Sequence, residues 1–588
     1  MRLRLLGSFL LGSSVCAQAH LDPSPAGATL VVSCDGPARW AQAFAETRLM
    51  ELLRGKALAE LVAPLEQQLD EAAAEVAKDA PFSVDDLRAK VLAYSGRVHL
   101  VVLLEPSAAG DPTYPEPNAA AYLAVGPDGH TDLSAACAEI ERLALDQQSG
   151  HVPTTLAGSE WLAAADGDVR LTLPRMLGDQ AVMLVYTDTK EAMVERLFTP
   201  KDVTESGASQ PQAPLHVRFD GQQILDLILA NNEGQTNAAE IAAVMRFVVG
   251  RLGTASLTVA PAGAFVDLGI DVELPGERGA ILSILAPVRA ELPGLLALVP
   301  RQHENFSCGP LECSEIEPFI KGVLGLEPDA PFDWQQIEAA VEEKVGVRLS
   351  PDVLAHLGRE FVLLGGSREA GADEPMEADE FTATFGRLDG MCLGLELTDG
   401  VALARSLETI LERAGMARVR KTDKYRDCDV HRLPIPLVGQ KLHWAVTDRL
   451  LLLAIGDQGR AHLQALLDGA AAQARREAPA AFPAEFSERL AMAAPKGSAV
   501  SFQSMAATLD TMASAFVVAL GEAEVGEAAF DQEEHESEPA AGGAAPFDPQ
   551  IVMAAVGKLK GLLATHRLQH VLSVTHNRPD RLTQHFFW

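Results

Sequence analysis

Three short segments of this chain recur in the same order between 261 and 274 residues later. The pairs are Ser33–Pro37 with Ser307–Pro310, Gly96–Leu100 with Gly358–Val362, and Asp166–Leu171 with Asp427–Leu433. Internal similarity of this kind is typical of one structural unit that is used in tandem. The chain should therefore fold as two similar units, and each unit serves as a control for residues that look functional in the other.

Hydrophobic patterning within each copy indicates antiparallel runs of strands with helices inserted between them. The apolar run Arg97–Leu104 predicts a strand, and Leu133 and Cys137 have the four-residue spacing of one helix face. This order of elements favours an α+β fold over a parallel βαβ sheet. We expect two tandem copies of a mainly antiparallel sheet with packed helices, the first over 28–290 and the second over 291–588.

The composition is that of a globular protein with a large core. Hydrophobic residues make up 48% of the 588 residues, which excludes disorder for most of the chain. The formal net charge is -33, and a surface of that sign repels nucleic-acid phosphates and anionic lipid headgroups. No later segment has the roughly 18 uninterrupted apolar residues of a membrane helix. We expect no nucleic-acid partner and no membrane span.

An acidic insertion lengthens the second copy, and it predicts a loop over 521–547. Its segment Glu522–Glu538 has eight carboxylates and no lysine or arginine. Runs of like charge are usually solvated. A calcium site would need alternating oxygen ligands with a turn glycine, and that pattern is absent. No metal is expected in this loop.

Residues 1–19 have the three parts of a secretory signal peptide. Two arginines precede the apolar core Leu5–Val15, and small residues suited to signal peptidase follow at Ala17–Ala19. Cys16 raises the alternative of a lipoprotein, but the valine before it fits that signal poorly. Cleavage before His20 would place the protein outside the cytoplasmic membrane, in a periplasm or in the medium.

No catalytic or nucleotide-binding motif is present. The chain lacks the phosphate loop, the dinucleotide-binding glycine pattern, the G-x-S-x-G elbow, the H-E-x-x-H zinc motif and C-x-x-C. The sequence therefore assigns no catalytic, cofactor-binding or metal-binding residue.

The repeat helps to interpret three of the six cysteines that follow the signal segment. Cys137 matches the helix position of Leu407, so it should be a small core residue. Cys392 matches the strand position of Ala121 and should be buried in the same way. Cys428 replaces the turn residue Gly167, which would expose it and make it the best candidate for a reactive thiol.

Cys34 and Cys308 are matched to each other and share a following Gly-Pro. Each should end a strand before a helix, where the helix N-terminus would lower the thiol pKa. The two residues could be a redox pair or could simply mark a structural turn from strand to helix. Cysteine is commonly buried in protein cores, which favours the structural interpretation. Cys308 is also near enough to Cys313 for a local disulfide if the segment between them is not helical.

Histidines and aromatic residues crowd the C-terminus. His566 and His570 have the spacing of a zinc site on one helix face. Their counterparts Gly250 and Thr254 indicate that the helix ends between them, so we expect an exposed cap histidine and an exposed strand histidine. Phe586–Trp588 should belong to a last strand that completes the second core.

The segments Ala28–Ser33, Thr47–Met50, Gly96–Val98, Tyr122–Val125 and Leu133–Leu143 follow one another as strand, helices, strand, strand and helix. This layout resembles an uncharacterised family of exported bacterial proteins. The resemblance covers most of the chain as a pattern without a sharp motif. The family offers no activity, so the resemblance implies nothing about the reaction or ligand.

Three classes of function are compatible with the chain. A non-catalytic extracytoplasmic binding or scaffold protein is favoured by the duplication, the acidity and the missing motifs. It would take an apolar ligand or another envelope protein in a groove between the copies, since pockets prefer such interfaces and aromatic residues are only 5%. An exported hydrolase with a site of scattered residues is the second class. The third is a thiol redox protein that uses Cys34 and Cys308.

Overall fold

The protein is described from a computed structural model. The described residues are 28–60, 63, 84–105, 118–146, 150–156, 158–166, 169–187, 191–198, 213–230, 238–276, 278–289, 291–300, 303–326, 333–365, 390–435, 440–475, 482, 484–493, 497–505, 509 and 549–588. The signal segment 1–19 and the acidic loop 521–547 lie outside these residues. Within them, no helix is both long and apolar enough to cross a membrane.

The chain divides into two compact units. The first comprises Met1–Met50, Val62–Gly279 and Pro579–Gln584, and the second comprises Glu51–Leu61, Ala280–Arg578 and His585–Trp588. The elements up to residue 279 are β1 (Leu30–Asp35), α1 (Pro37–Ala43), α2 (Arg48–Leu53), α3 (Val84–Ala93), β2 (Arg97–Glu105), β3 (Asn118–Val125), α4 (Leu133–Asp146), β4 (Val152–Leu156), β5 (Ser159–Asp166), β6 (Val169–Thr172), β7 (Arg175–Leu177), β8 (Gln180–Thr187), α5 (Glu191–Phe198), β9 (Leu215–Asp220), α6 (Gly221–Ala230), α7 (Ala238–Val249), β10 (Thr254–Ala262) and β11 (Phe265–Glu273).

The strands of the first unit form one antiparallel sheet. Their order is β11–β10–β9–β1–β2–β3–β8–β6–β5–β4, and β7 also pairs with β8. Val101, Tyr122 and Leu184 are cross-strand partners, at most 2% exposed, on the face that α5 covers, here called the α5 face. On the opposite α4 face, Cys137 of α4 packs with Ala181 of β8.

The second part of the chain contains α8 (Ala280–Leu285), β12 (Phe306–Pro310), α9 (Ile316–Gly325), α10 (Trp334–Val345), α11 (Leu349–Asp352), β13 (Leu357–Leu364), β14 (Cys392–Leu397), α12 (Gly400–Arg413), β15 (Lys421–Tyr425), β16 (Cys428–Ile435), β17 (Gln440–Val446), β18 (Leu450–Ile455), α13 (Gly456–Ala474), α14 (Ala484–Met492), β19 (Ala499–Ser504), α15 (Pro549–Thr565), β20 (His570–Arg578) and β21 (Arg581–Phe587). Short 3₁₀ turns lie at Gly294–Leu298, Cys313–Glu315, Leu354–His356 and Met416–Arg418.

These strands pair antiparallel in the order β20–β19–β12–β13–β14–β18–β17–β16–β15. α13 packs on β14, β17 and β18 with Leu463 and Leu466, which are both fully buried, and this side is here called the α13 face. On the opposite α12 face, Leu403 of α12 packs with Leu397 and Leu451. The core of the unit therefore has one layer on each side of the sheet.

Local sequence explains where α12 begins. The Asp399 side chain accepts a hydrogen bond from the backbone N–H of Ala402 at 2.9 Å, which satisfies a donor that the helix leaves unpaired. Leu403, Leu407 and Leu411 then recur every four residues and face the sheet. This placement sets α12 across β17 and forms one wall of the site described below.

The antiparallel sheets with packed helices confirm the α+β class. Phe587, 3% exposed in β21, confirms that the last aromatic segment is a strand that buries its side chain. The matched segments Asp166–Leu171 and Asp427–Leu433 both begin at hairpins: Asp166 pairs with Val169 to join β5 and β6, and Tyr425 pairs with Cys428 to join β15 and β16. Polar turn residues recur in any hairpin, so they report a turn without identifying which turn it is.

Candidate functional site

A cleft of about 450 Å³ lies on the α12 face of the second unit, between α12 and strands β16 and β17. A second hollow of about 380 Å³ extends it toward the start of α12, with Glu408, Val446 and Asp448 among the residues common to both. Together they form one groove along α12. Ala404, Leu407 and Leu411 give it an apolar wall, and the turns and strands opposite supply its polar groups.

An ion pair closes one side of this groove. Arg420 Nη2 donates to Glu408 Oε1 at 2.9 Å, and Arg420 Nη1 also donates to Glu408 Oε2. Hydrogen bonding to Arg420 lowers the pKa of Glu408, and its reciprocal effect raises the pKa of Arg420. Both groups therefore stay charged at neutral pH, and each neutralises the other.

Three further carboxylates line the cleft. Asp429 is paired with Lys424 at 2.8 Å, and hydrogen bonding to that lysine lowers the pKa of Asp429. Asp427 and Asp448 have no ion pair or side-chain hydrogen bond among the residues that the structure describes. Their charges are therefore free to act on a ligand.

His431 and Trp444 form the aromatic part of the site. They are cross-strand partners on β16 and β17, with ring centroids 5.0 Å apart and planes inclined by 33°. His431 Nδ1 lies 2.9 Å from the hydroxyl oxygen of Thr422. Burial lowers the pKa of His431 and Arg420 lowers it further, while Asp429 and Glu408 act in the opposite direction. The imidazole is therefore neutral at pH 7.

The groove has a net negative charge. Four carboxylates line it (Glu408, Asp427, Asp429 and Asp448), against the two guanidinium groups of Arg405 and Arg420, so the sum is -2 with His431 neutral. An anionic, partly apolar groove attracts cations and disfavours anions. No group of three or more histidine, cysteine or acidic side chains among the described residues could hold a metal ion.

Cys428 lines the cleft, but the expectation that it is exposed is wrong. The residue is half-buried. Burial raises the pKa of the thiol, and the neighbouring carboxylates of Asp427 and Asp429 raise it further. The match of Cys428 with the turn residue Gly167 took no account of these neighbouring carboxylates.

The thiols matched as a redox pair lie in unlike surroundings. Cys34 is half-buried, and its Sγ lies 3.3 Å from the backbone oxygen of Asp35. Cys34 pairs with Val98 on the α4 face of its sheet, whereas Cys308 pairs with Val362 on the α13 face of the other. Cys308 is 1% exposed, and burial raises its pKa well above the ordinary value. An activating helix N-terminus does not offset that burial.

The remaining cysteines are core residues. Cys137 and Cys392 are each fully buried, which confirms their interpretation as small apolar residues. Burial raises the pKa of Cys137 to about 11 and that of Cys392 to about 12. Cys308 and Cys313 are both free, so the local disulfide is absent.

The C-terminal histidines do not share a helix. α15 ends at Thr565, before both residues. His570 belongs to β20 and is 4% exposed, so the expectation of an exposed strand histidine is wrong. Its ring stacks on Phe502 at 4.8 Å, and its Nε2 lies 3.3 Å from Glu304. Packing against an aromatic cluster decides its burial.

Sequence reasoning missed the residues of the groove. The segment 418–432 has nine charged residues, whereas the β4–β5 hairpin over 152–166 has only two. That contrast was the available signal, but it becomes visible only when the hairpin β15–β16 is compared with β4–β5. The sequence comparison matched Asp427 with Asp166 and did not make that comparison.

Comparisons with known proteins add little. No family model matches the chain, and no curated protein matches it significantly. Among solved structures, crystal form I of TP0453 aligns over 45% of this chain and 82% of TP0453, with 10% identity and a TM-score of 0.20. Crystal form IV of TP0453 aligns over 43% of this chain and 81% of TP0453, again with 10% identity and a TM-score of 0.20. Similarity at this level carries no argument about fold or function.

Proposed function

We propose that the protein is a non-catalytic binding protein and that the groove along α12 is its ligand site. The observation that carries the proposal is that an apolar wall lies opposite Asp427 and Asp448, two carboxylates with no ion pair or side-chain hydrogen bond among the described residues. The cysteine in the same cleft has a raised pKa, which opposes nucleophilic chemistry. Such a lining holds a ligand without activating it.

The ligand class follows from the charge and shape of the groove. A net charge of -2 and the aromatic Trp444 suit a cationic group, and Leu407 and Leu411 suit an alkyl segment. The groove is more polar than the composition alone led us to expect. The proposed ligand is therefore an amphipathic amine or a basic, partly apolar segment of an envelope protein, rather than a purely apolar molecule.

Calorimetric titration of the full chain with octylammonium tests this proposal. We expect saturable binding that weakens about tenfold when Asp427 and Asp448 are both changed to asparagine, since about 1.4 kcal/mol of lost attraction gives that factor. Asp457→Asn removes an exposed carboxylate of the same unit outside the groove and should leave binding unchanged. Equal or tighter binding of octanoate would contradict the cationic preference, and binding of neither would exclude the groove as the site.

A hydrolase is the second candidate, because His431 Nδ1 lies within hydrogen-bond distance of the Thr422 hydroxyl. A neutral imidazole beside a hydroxyl has the chemistry of a general base and a nucleophile. Hydrolysis of p-nitrophenyl esters that disappears in both His431→Gln and Thr422→Val, but persists in Thr398→Val, would favour this candidate. The thiol redox alternative is disfavoured by the burial of Cys308.

We also propose that the two units are copies of one ancestral unit. The support is that β10–β9–β1–β2–β3–β8–β6–β5–β4 and β20–β19–β12–β13–β14–β18–β17–β16–β15 can be read strand for strand. Helices also fall in matching connections, with α4 and α12 after the fifth strands of these two orders and α5 and α13 after the sixth. Superposing the strands of an experimental structure in this order tests the proposal, and a different strand path in either unit would contradict it.

This strand match revises the pairing of two cysteines. In it, the α4 face corresponds to the α12 face and the α5 face to the α13 face. Cys34 and Cys308 then lie on opposite faces, so they are not equivalent. The recurrence of Ser-Cys near Gly-Pro marks equivalent strands, β1 and β12, but not equivalent positions within them.

We propose that the protein works outside the cytoplasmic membrane, as the segment 1–19 and the resemblance to exported bacterial proteins suggest. The support is in the sequence alone, in an apolar core followed by Ala17–Ala19. N-terminal sequencing of protein recovered from its native host should start at His20. Recovery of an intact Met1, or of a lipid on Cys16, would contradict this prediction.

A further inference from the structure

The α5 face of the first unit has a row of polar side chains beside its core. His99, Ser33, His216 and Thr258 are direct cross-strand partners on β2, β1, β9 and β10, and all four are half-buried. Ser33 Oγ lies 2.9 Å from His99 Nδ1. Two residues along β9 from His216, Arg218 projects on the same face and pairs with the buried Val31.

The matching strands of the second unit use this face for packing. Val362, Cys308, Val500 and Val574 form a row of cross-strand partners on β13, β12, β19 and β20, each at most 2% exposed. The adjoining row, Leu364, Phe306, Phe502 and Leu572, is at most 3% exposed. The sheet itself therefore does not require polar residues here. Ser33 and His99 are partners of each other, and Thr258 Oγ1 donates to the backbone oxygen of Gly269 at 3.4 Å. The polar row is therefore a difference of residue type between the two units, and it places hydrogen-bonding groups where the second unit has apolar ones.

Charged side chains of both signs lie beside the row, and most of those described are paired. Arg97 Nε donates to Asp35 at 2.8 Å, so that arginine is neutralised. Asp271, in the row of Arg218, accepts hydrogen bonds from Arg581 and Thr583. Arg218 has no carboxylate partner within the described part of the chain. Among the described residues, its guanidinium is therefore a charge beside the row that no carboxylate neutralises by direct contact.

Burial and the neighbouring arginines lower the pKa values of both histidines. Burial lowers the pKa of His216, and Arg218 and Arg97 lower it further. Burial and then Arg97 lower the pKa of His99, while Asp35 acts in the opposite direction. Both imidazoles are neutral at pH 7, and a neutral imidazole can still donate one N–H hydrogen bond.

We propose that this row is an oxyanion site that binds a phosphate or carboxylate group through Arg218, Ser33, His99 and His216. A guanidinium with flanking hydroxyl and imidazole donors is a suitable set for planar or tetrahedral oxyanions. The net charge of -33 repels anions from the protein as a whole, so a bound oxyanion needs a local site of this kind. The site is independent of the groove along α12, which disfavours anions.

Calorimetric titration of the full chain with inorganic phosphate and, separately, with acetate tests this proposal. We expect binding of at least one anion at a single site, weakened at least about tenfold in Arg218→Gln and severalfold in Ser33→Ala, because charge-assisted hydrogen bonds are the stronger ones. The tighter of the two anions identifies the class of ligand. Arg251→Gln removes an exposed charge of the same unit and should change the affinity less than about twofold.

Circular dichroism melting of each variant establishes that it is folded before the affinities are compared. Absence of binding of both anions to the unaltered protein would overturn the proposal. It would also be overturned if Arg251→Gln weakened binding as much as Arg218→Gln did, since the effect would then be one of overall charge.

Discussion

The guanidinium of Arg420 and the carboxylate of Glu408 form a two-point ion pair across the groove, with Arg420 Nη2 2.9 Å from Glu408 Oε1. The pair ties the start of β15 to the middle of α12, two elements that the turn Met416–Arg418 connects. The pair therefore holds the start of β15 against α12. Because Glu408 is already bound to Arg420, it is less available to a ligand than the other carboxylates of the groove.

We expect the pair to contribute about 0.5–1 kcal/mol to the free energy of unfolding, because solvent screens the 44% exposed Glu408 side chain. A double-mutant cycle of Glu408→Gln and Arg420→Gln in urea measures it. The pKa of Glu408 is lowered by folding, so the contribution is present above the unfolded pKa and is lost as the pH falls through the folded pKa. The same cycle on the exposed pair Glu139 and Arg142 should give a smaller coupling, and a larger one there would contradict this ranking.

His443 should make the protein sensitive to acid. The residue is 1% exposed, and burial lowers its pKa, with Arg460 lowering it further and Asp457 opposing. Lys441 and Arg432 also lower it. As the pH falls below about 6.5, the unfolded chain binds a proton that the folded imidazole resists, so stability is lost.

His443→Leu tests this by removing the titrating group. The loss of unfolding free energy between pH 7.5 and 5.0 should be smaller in this variant than in the parent, because the group whose pKa folding lowers is gone. His130→Gln alters an exposed histidine and is the control. An unchanged pH dependence in His443→Leu would show that the buried imidazole is not the acid-sensitive group.

Cys428 should react slowly with thiol reagents, because burial and then the carboxylates of Asp427 and Asp429 raise its pKa. In a Cys34→Ser background, which removes the other half-buried thiol of the described chain, Ellman's reagent at pH 8 reports mainly on Cys428. Asp427→Asn should raise the rate about two- to threefold by increasing the thiolate fraction. Asp457→Asn should leave it unchanged, and rapid labelling of the parent at pH 6 would be inconsistent with a raised pKa.

Substitution by alanine should lower the free energy of unfolding at Gly400 and raise it at Gly557. A Cβ at Gly400, the buried first residue of α12, would lie 2.9 Å from the Cα of Asp448, so Gly400→Ala should cost about 1–3 kcal/mol. A Cβ at the exposed Gly557 in α15 would meet nothing within 4 Å. Gly557→Ala should stabilise by about 0.5–1 kcal/mol through helix propensity. Urea unfolding of both variants checks the signs, and equal effects would contradict the close approach at Gly400.

The correct and incorrect sequence predictions have one physical origin. Cys137 and Cys392 were predicted to be core residues because each was matched with an apolar residue on a similar helix or strand, and both are buried. The polar residues at Asp166 and Asp427 indicate turns, and the structure has a hairpin at each place, but such residues do not show which hairpins are equivalent. His570 was expected at the surface because the aromatic cluster that buries it comes from distant segments, including Phe502.

The sequence by itself determined the class of each element and the sign of the surface charge, since both depend on residue type and local spacing. The order of the strands and the groove along α12 were decided only by tertiary structure. Glu408, His431 and Asp448 are separated by up to 40 residues, and strand pairing and helix packing bring them to one cleft. Ser33, His99 and His216 are similarly united by the pairing of β1 with β2 and β9. Local hydrophobic periodicity gives the type of an element and its buried face, but it does not name the distant strand with which that element pairs.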